Sequence, residues 1–261
     1  MNLSLAGKNA VICGSSRGIG LAIAKELALL GANCTLMARD ETILAEAVKS
    51  LDSSAGQSHE YMVVDFGHAA AVKKFIDMHV ANETVHILVN NSGGPPAGPI
   101  TEADPELFEK YFRQHVMSNQ IMVMACLPGM KAAGYGRIIN VVSTSVKIPI
   151  QNLGVSNTIR GAVASWAKSL SNEVAEFGIT VNNVLPGYTM TDRLEILMAN
   201  IADRKKVMIE DVEKDMIADI PARRFADASE VAALAAFLAT SAAGYINGTS
   251  IPVDGGKTGS I

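Results

Sequence analysis

A glycine-rich loop near the start of the chain constrains the fold more than any other stretch. Residues 8–13 form a short apolar run, and the sequence GSSRGIG then places glycines at Gly14, Gly18 and Gly20. Apolar residues at helical spacing follow in LAIAKELALLGA, so the loop joins a strand to a helix. Gly14 lets the chain turn tightly off the strand, and the later glycines let helix and sheet approach closely. The free amides at such a helix start, together with the positive end of its dipole, bind phosphate groups.

The rest of the chain alternates between short apolar runs and helical patterns. Further strands are predicted at residues 33–38, 61–64, 86–89, 137–142, 180–185 and 249–253. Further helices are predicted at residues 41–51, 70–80, about 105–130, 155–177 and 229–240. Continuous apolar strands that alternate with helices indicate a parallel sheet covered on both faces. We therefore predict an α/β fold in which a doubly wound parallel sheet of seven strands forms three layers, with residues 1–261 as a single domain.

One long excursion interrupts this alternation at residues 189–224. The segment is polar and rich in methionine, and it follows the end of the sixth predicted strand. In a doubly wound sheet the carboxyl ends of the strands face the ligand crevice. We therefore predict a mobile lid over that crevice, with the charges of the segment on solvated helix faces.

Composition narrows the range of partners. A net charge of −4 gives no basic surface for nucleic acid, and no apolar run is long enough to cross a bilayer. The first residues lack the layout of a signal peptide, which predicts a cytoplasmic protein. Cys13, Cys34 and Cys126 show neither a disulfide pattern nor metal-ligand spacing. We predict that they are small buried hydrophobic side chains, and we predict no metal site.

In its motifs the chain resembles the short-chain dehydrogenase/reductase family. The likeness rests on the glycine loop, on NNSG at residues 90–93 and on LPG at residues 185–187. It continues through IPARRFADASEVAALAAFLAT and the closing GYINGTSIPVDGG. The resemblance implies a Rossmann fold, a nicotinamide dinucleotide cofactor and an oxidoreductase similar to 3-oxoacyl-(acyl-carrier-protein) reductases.

The resemblance also assigns a cofactor site. The glycine loop holds the pyrophosphate, Asp65 reaches the adenine, residues 90–93 border the adenosine ribose, and residues 186–191 hold the nicotinamide. The implied cofactor-binding residues are Gly14, Ser16, Arg17, Gly18, Ile19, Gly20, Arg39, Asp65, Phe66, Asn90, Asn91, Ser92, Gly93, Arg160, Pro186, Gly187, Thr189 and Thr191.

NADP(H) is predicted in preference to NAD(H). Family members that use NAD end the second strand with an acidic residue that accepts hydrogen bonds from the ribose hydroxyls. Here Ala38 takes that place, Arg39 follows it, and Arg17 lies in the glycine loop. Guanidinium groups fork onto phosphate oxygens, and no acid stands at that position to repel a 2′-phosphate. Asp40 would weaken this preference if its carboxylate turned inward.

The residues for proton chemistry depart from the family pattern. In the family a serine and a tyrosine polarise the substrate oxygen, a lysine lowers the tyrosine pKa, and an asparagine holds a relay water. Ser143 stands in the serine position, but the YxxxK segment is SNTIR, from Ser156 to Arg160, and His115 takes the asparagine position. A serine hydroxyl donates a proton poorly near neutral pH, and an arginine stays charged and cannot shuttle a proton.

Four residues are predicted to act at the catalytic end: Ser143, Lys147, Ser156 and Arg160. Lys147 lies in the loop that leaves the fifth strand and is the first candidate for the proton donor, with a solvated surface lysine as the alternative. His115 is a second candidate, as part of a relay, with a hydrogen-bonded core histidine as the alternative. Tyr188 is a third and weaker candidate, as a residue that shapes the substrate pocket.

Two functions stay open from the sequence. The first is an atypical reductase that transfers a hydride between NADP(H) and a carbonyl or hydroxyl substrate, with a compound similar to a 3-oxoacyl thioester as one candidate. The second is a catalytically quiet protein that binds NADP(H) as a sensor or scaffold.

A homodimer or homotetramer is also predicted. The resemblance implies that the two long helices pack against their copies in a neighbouring subunit. Four small residues on the second of these helices permit close approach: Gly161, Ala162, Ala164 and Ser165. The methionines Met117, Met122 and Met124 on the first helix are predicted to pack in a core or a subunit interface, in preference to forming a substrate surface.

Overall fold

The fold contains one parallel sheet, which the computed structural model describes within residues 1–260. Its strands are β1 (Asn9–Cys13), β2 (Asn33–Ala38), β3 (His59–Val63), β4 (Ile87–Asn90), β5 (Gly136–Val141), β6 (Ile179–Pro186) and β7 (Ser250–Val253). Their order is β3-β2-β1-β4-β5-β6-β7, and every neighbouring pair is parallel. The winding reverses between β1 and β4, where a doubly wound sheet opens a crevice at the carboxyl ends of its strands.

Helices cover both faces of this sheet. They are α1 (Gly18–Leu29), α2 (Glu41–Lys49), α3 (Ala69–Val80), α4 (Pro105–Phe112), α5 (Ser118–Ala133), α6 (Gly154–Val174), α7 (Asp192–Lys205), α8 (Ile209–Ala218) and α9 (Ala228–Ala239). On one face α1, α2 and α9 enclose a core that includes Ile23 and Val231. On the other face α3, α5 and α6 enclose a core that includes Ile76 and Val174. The predicted three-layer α/β fold is confirmed.

Buried amide side chains link the strands that end at the crevice. Asn90 donates to Asn140 at 2.8 Å, Asn140 donates to Asn183 at 2.9 Å, and Asn183 donates to Ser250 at 3.0 Å. These residues are register partners across β4, β5, β6 and β7. Because each of these three side-chain amides donates to its partner on the next strand, the ladder holds the four strands in one register.

One predicted helix is divided in the structure. The pattern predicted a single helix over about residues 105–130, whereas α4 and α5 are joined by a π-helical turn at Arg113–Met117. The hydroxyl of Ser118 donates to the carbonyl oxygens of Arg113 at 3.2 Å and of Phe66 at 2.8 Å. The Ser118 hydroxyl thereby provides a hydrogen-bond donor for the carbonyl oxygen of Arg113, which begins the π-helical turn. Such turns occur frequently at functional sites, and this one carries His115.

The segment predicted as a lid is built from α7 and α8. The two helices form a small core of their own around Leu194, Met198 and Met216. A bridge between Thr189 and Ala226 closes the base of the segment. The segment is therefore packed as a unit, and its movement as a lid stays a prediction.

The prediction for the cysteines is confirmed. Cys13, Cys34 and Cys126 are free and buried. Burial raises the pKa of the Cys34 and Cys126 thiols to about 12, so neither is a thiolate near neutral pH. Burial raises the pKa of the Cys13 thiol as well.

Methionines near the π-helical turn differ in exposure. Met122 is buried in the core between the sheet and α5, whereas Met117 is 38% and Met124 is 58% exposed. Core packing therefore accounts for Met122 alone.

Within residues 1–260, no helix has both the length and the apolar character that a bilayer crossing requires.

Candidate active site

The glycine loop lies at the carboxyl end of β1, where close contacts require its glycines. Gly14 has a φ of +59°, and a Cβ atom on it would lie 2.4 Å from the carbonyl oxygen of Asn91. A Cβ atom on Gly20 would lie 2.2 Å from the carbonyl oxygen of Gly14. The side-chain amide of Asn91 donates to the carbonyl oxygens of Cys13 at 3.3 Å and of Gly14 at 3.0 Å. Asn91 therefore fixes the turn by which the chain enters α1.

The start of α1 fits the diphosphate of a dinucleotide. Its first turn contains no acidic residue, and no side chain caps it. The first amides of a helix have no intrahelical acceptor, so those of Gly18, Ile19 and Gly20 are available to phosphate oxygens. The half-buried Ser16 lies in the same loop. The Thr191 methyl group lies 3.4 Å from the position of a Cβ on Gly18, which brings the loop after β6 to the same place.

The end of β2 fits a 2′-phosphate. The Asp40 carboxylate accepts a hydrogen bond from the backbone amide of Ile43 at 3.0 Å and caps α2, so it is turned away from the strand end. Ala38 is buried, and Arg39 is exposed directly after the strand. Within residues 1–260 the Arg39 guanidinium has no hydrogen-bonding partner. A cation that is unpaired within the described chain therefore directly follows Ala38, which takes the position of the acid in the NAD-binding members of the family.

Arg17 is held by an ion pair. Its Nη1 lies 3.0 Å from a carboxylate oxygen of Asp192, the first residue of α7. Both side chains are more than half exposed, so the pair adds roughly 0–1 kcal/mol to stability. The pair connects the glycine loop to the predicted lid.

Asp65 and Phe66 follow β3 and differ in exposure. Asp65 is exposed, and its carboxylate accepts from the backbone amide of Gly67 at 2.8 Å. The Phe66 side chain is 8% exposed and packs in the core, while its carbonyl oxygen accepts from Ser118. Any contact of Phe66 with a cofactor would therefore involve its backbone amide.

The NNSG segment contacts the π-helical turn. The hydroxyl of Ser92 lies 2.9 Å from Nδ1 of His115, and the side chain of Gln114 donates to the carbonyl oxygen of Gly93 at 2.8 Å. Oδ1 of Asn90 is buried, and it has no partner within the described chain. Of the four predicted residues, Asn90 and Asn91 therefore support the sheet and the turn, and Ser92 and Gly93 contact the helix.

His115 is a neutral imidazole. It is 2% exposed, and burial, followed by the charge of Arg160, lowers the pKa of His115 to about 2. Its Nε2 is buried without a hydrogen-bonding partner among residues 1–260. The imidazole therefore carries no acidic proton near neutral pH, and it can take part in a relay only through its contact with Ser92.

Arg160 reaches the end of β5 from α6. Its Nη1 donates to the carbonyl oxygen of Val141 at 3.1 Å, and the side chain is buried. Burial, followed by the charge of Arg193, lowers the pKa of Arg160 to about 10, so the guanidinium stays charged at neutral pH. Its Nη2 lies 2.9 Å from the position that a Cβ on Gly94 would take.

Arg193 is a site residue that sequence reasoning missed. Its charge was predicted to lie on a solvated face of the lid, and the side chain is indeed exposed, but it also contacts the loop after β4. It donates to the carbonyl oxygens of Gly94 and Pro95, each at 3.2 Å, and its Nη2 also lies 2.9 Å from the Cβ position of Gly94. The guanidinium groups of Arg160 and Arg193 therefore lie side by side over Gly94. Its place just after the LPGYT loop was the available signal, because that loop ends at the crevice.

The other catalytic candidates lie along the connection from β5 to α6. Ser143 is half-buried, and its hydroxyl oxygen accepts from the backbone amide of Ser145 at 3.1 Å, which leaves the hydroxyl hydrogen free to donate. Ser156 is 7% exposed in the first turn of α6. Lys147 is exposed at the end of a short 3₁₀ turn, Thr144–Val146. The structure thus brings Ser143 and Arg160 to the end of β5, while Lys147 lies at the surface of the same loop.

The loop after β6 packs against the last strand and the lid. Pro186 ends β6, and a Cβ on Gly187 would lie 2.7 Å from Cβ of Asp254. The hydroxyls of Thr189 and Thr191 donate to the carbonyl oxygens of Gly187 and Thr189, both at 3.3 Å. The loop is therefore compact at the position where the resemblance places the nicotinamide.

Tyr188 packs with the lid. Its ring meets Phe225 edge-on with centroids 6.1 Å apart, and it lies against the core of α7 and α8. Nζ of Lys257 lies 5.2 Å from the centroid of the Tyr188 ring. Packing and a cation–π contact account for this residue, and its role in shaping a substrate pocket stays a prediction.

A group of possible metal ligands lies away from this edge of the sheet. Oxygen and nitrogen atoms of Glu60, His79 and Glu83 lie within 4.8 Å of one another. His79 faces one carboxylate through each ring nitrogen, at 3.3 Å from Glu60 and 3.7 Å from Glu83. Both glutamates are exposed, and exposed acidic groups commonly meet a histidine in this way without an ion, so we assign no metal here.

Comparison with known proteins identifies the family. A family model described as enoyl-(acyl carrier protein) reductase matches residues 14–258. The putative ketoacyl reductase 1 of the granaticin polyketide synthase of Streptomyces violaceoruber is 34% identical over 250 residues, which cover 95% of this chain and 92% of the relative. The chain belongs to the short-chain dehydrogenase/reductase family.

Other short-chain dehydrogenase/reductases agree with this assignment. The 3-oxoacyl-(acyl-carrier-protein) reductase of Haemophilus influenzae is 32% identical over 254 residues, covering 96% of this chain and 98% of the relative. The structure of L-sorbose reductase from Gluconobacter frateurii, complexed with NADPH and L-sorbose, matches with a TM-score of 0.93 at 31% identity over 100% of both chains. These relatives confirm the predicted family and its oxidoreductase class, and the NADPH of the L-sorbose reductase structure agrees with the predicted preference for NADP(H).

Replacement of Arg39 by alanine is expected to lower the affinity for NADPH about 10–100-fold, because charged hydrogen bonds to the 2′-phosphate are lost. The affinity for NADH, which lacks that phosphate, should stay the same. Fluorescence titration with both nucleotides measures the change. Lys49→Ala is the control for net charge. Lys49 is an exposed cation on α2, and it pairs with Glu46 of the same helix. An unchanged ratio of the two affinities in Arg39→Ala would show that Arg39 does not contact the phosphate.

Proposed function

We propose that this short-chain dehydrogenase/reductase transfers a hydride between NADP(H) and the carbonyl or hydroxyl group of a small substrate. One observation carries the proposal. The Ser143 hydroxyl has a free hydrogen, and it follows β5 at the edge of the sheet where the uncapped start of α1 follows β1. A dinucleotide whose diphosphate rests on α1 can extend along this edge toward Ser143.

The side chains at this edge of the sheet have separate roles in the proposed reaction. The cofactor, when bound, supplies or accepts the hydride. Ser143 donates a hydrogen bond to the carbonyl oxygen and polarises it, as an oxyanion-hole donor does. Arg160 stays charged and donates to the ribose hydroxyls, and Ser156 helps to orient the substrate oxygen. The compact loop at Pro186–Thr191 excludes water from one side of the nicotinamide position.

Lys147 is the proposed proton donor. It lies four residues after Ser143 in the same loop, and within residues 1–260 its ammonium group has no hydrogen-bonding partner. The side chain is therefore free to turn over the crevice. His115 is a poorer acid because its imidazole is neutral near pH 7. Its contact with Ser92 supports a relay role instead.

We expect Lys147→Ala to lower kcat about tenfold to a hundredfold, because an exposed donor is replaced in part by water. The dissociation constant of NADPH should stay unchanged, since Lys147 lies away from the glycine loop. Steady-state NADPH oxidation and a separate NADPH titration measure the two quantities. An unaltered kcat removes Lys147 from the mechanism and leaves solvent as the donor.

A catalytically quiet NADP(H)-binding sensor or scaffold is the second candidate. Ser156 and Arg160 in the positions of the family tyrosine and lysine favour it, because neither side chain donates a proton readily at neutral pH. Both candidates bind NADPH, so binding does not separate them.

NADPH oxidation across a panel of ketones, oxo acids and 3-oxoacyl thioesters tests the proposal. Turnover of at least one compound, with Ser143→Ala as the inactive control, supports the reductase. Saturable NADPH binding without turnover of any compound favours the sensor. Failure to bind either pyridine nucleotide contradicts both functions.

The proposed assembly is a homodimer or homotetramer that packs through the face of α4, the π-helical turn and α6. Phe112 and Met117 are 44% and 38% exposed on this face. A Cβ on Gly161 would meet nothing within 4 Å, so a second helix can approach α6 closely there. Light scattering of the purified protein measures the assembly.

A further inference from the structure

Two arginines without an acidic partner lie at the crevice. Arg160 donates to the carbonyl oxygen of Val141, and Arg193 donates to those of Gly94 and Pro95. Within residues 1–260 no carboxylate is bonded to either guanidinium group. Both Nη2 atoms lie 2.9 Å from the position that a Cβ on Gly94 would take. The two positively charged groups therefore lie close together beside Gly94.

This arrangement is unfavourable for the protein by itself. A buried charge requires a partner, and adjacent like charges repel each other. Arg160 is 9% exposed, and backbone carbonyl oxygens are the only acceptors bonded to either guanidinium among the described residues. The neighbouring His115 is neutral and adds no countercharge. An anion between the two groups would relieve both the desolvation and the repulsion.

We propose, building on the reductase function above, that Arg193 and the Nη2 group of Arg160 form a subsite for the carboxylate of the substrate, while the remaining donors of Arg160 serve the ribose hydroxyls. The preferred substrate is then an oxo acid, or the matching hydroxy acid in the reverse direction. Guanidinium groups suit this task because they bind carboxylates through two parallel hydrogen bonds. Arg160 bonds to Val141, two residues before Ser143. A small molecule can therefore present its carboxylate to the arginines and its carbonyl oxygen to Ser143.

The diphosphate of the cofactor is an alternative source of the same anionic chemistry. Thr191, two residues before Arg193, lies against Gly18 at the start of α1. A phosphate bound at the start of α1 would therefore also lie near the segment that carries Arg193. The experiment must therefore separate a substrate carboxylate from a cofactor phosphate.

Calorimetric titration of the full-length protein saturated with NADP⁺ provides this separation. The probes are 2-oxobutanoate and acetoacetate, each compared with its neutral methyl ester. Because cofactor and probe are both oxidised, binding is measured without turnover. We expect at least one acid to bind about tenfold or more tightly than its ester, since charged hydrogen bonds select the carboxylate.

Arg193→Gln is the decisive variant, because Arg193 lies on the surface of α7 and the fold does not depend on its burial. We expect it to weaken binding of the acid about 10–100-fold, with binding of the ester and of NADP⁺ unchanged. Lys73→Gln is the control for the loss of one positive charge. Lys73 is an exposed cation on α3 that already pairs with Asp77 at 2.6 Å, so its loss should leave all three affinities unchanged.

Two results would overturn the subsite. In the first, neither acid binds more tightly than its ester to the unaltered protein. In the second, Arg193→Gln weakens NADP⁺ binding while the preference for acid over ester persists, which assigns the anion to the cofactor. A protein that ignores NADP(H) would contradict the proposed function instead, and titration of the cofactor-free protein with the same probes would still decide the subsite.

Discussion

Gly20→Ala is expected to weaken NADPH binding about 100-fold, which corresponds to roughly 2.8 kcal/mol. Alanine favours a helix over glycine by about 1 kcal/mol, so intrinsic propensity alone predicts a gain in stability. The added Cβ, however, would lie 2.2 Å from the carbonyl oxygen of Gly14 and 2.8 Å from Nδ2 of Asn91. The start of α1 must therefore move away from the β1 turn, and the amides that face the diphosphate move with it.

The same shift should lower the free energy of unfolding by about 1–3 kcal/mol, as is typical of overpacked sites. Fluorescence titration with NADPH and chemical denaturation measure the two effects. Gly259→Ala adds the same methyl group where nothing lies within 4 Å, and it should change neither quantity. A Gly20→Ala protein that binds NADPH as the unaltered protein does would show that the dinucleotide does not rest on α1.

Ser143→Ala is expected to lower kcat about 10²–10³-fold, the usual loss when one donor to a developing oxyanion is removed. The dissociation constant of NADPH should not change, because the hydroxyl contacts the substrate and not the diphosphate. Ser143 also accepts a hydrogen bond from the backbone amide of Ser145, so the variant should lose about 1 kcal/mol of stability. Steady-state kinetics with the best compound of the carbonyl panel measure the rate.

Ser145→Ala is the matched control for this loop. The Ser145 hydroxyl is buried and has no hydrogen-bonding partner within the described chain, so its removal breaks no side-chain bond. The backbone amide that donates to Ser143 is kept. We expect kcat to stay unchanged in Ser145→Ala. A similar kcat for the two variants would mean that Ser143 does not polarise the substrate.

Much of the fold and of the cofactor end could be predicted because their signals are local. The glycine spacing of residues 14–20 and the seven apolar runs each reside in a short stretch of chain, and the parallel sheet follows from their alternation with helices. The π-helical turn at Arg113–Met117 could not be predicted in this way. One residue added to a helical turn leaves the apolar pattern of a helix nearly unchanged.

The electrostatics of the site required the packed structure. Asp40 caps α2 instead of facing the end of β2, and this was an open alternative in the sequence. His115 has a common residue type for proton transfer, yet burial beside Arg160 keeps it neutral. Desolvation and neighbouring charges depend on which elements meet in space, and a residue type alone specifies neither.

By itself the sequence determined the doubly wound sheet, the glycine loop before the first helix, the arginine after the second strand and the replacement of the YxxxK segment by SNTIR. Only the tertiary structure decided that Arg193 lies beside Arg160. The contact between Arg193 and Gly94 joins residues 99 positions apart in the chain. Local patterns report which faces of the elements are apolar. The proximity of the Arg160 and Arg193 guanidinium groups beside Gly94 depends instead on how β4, α6 and α7 pack together.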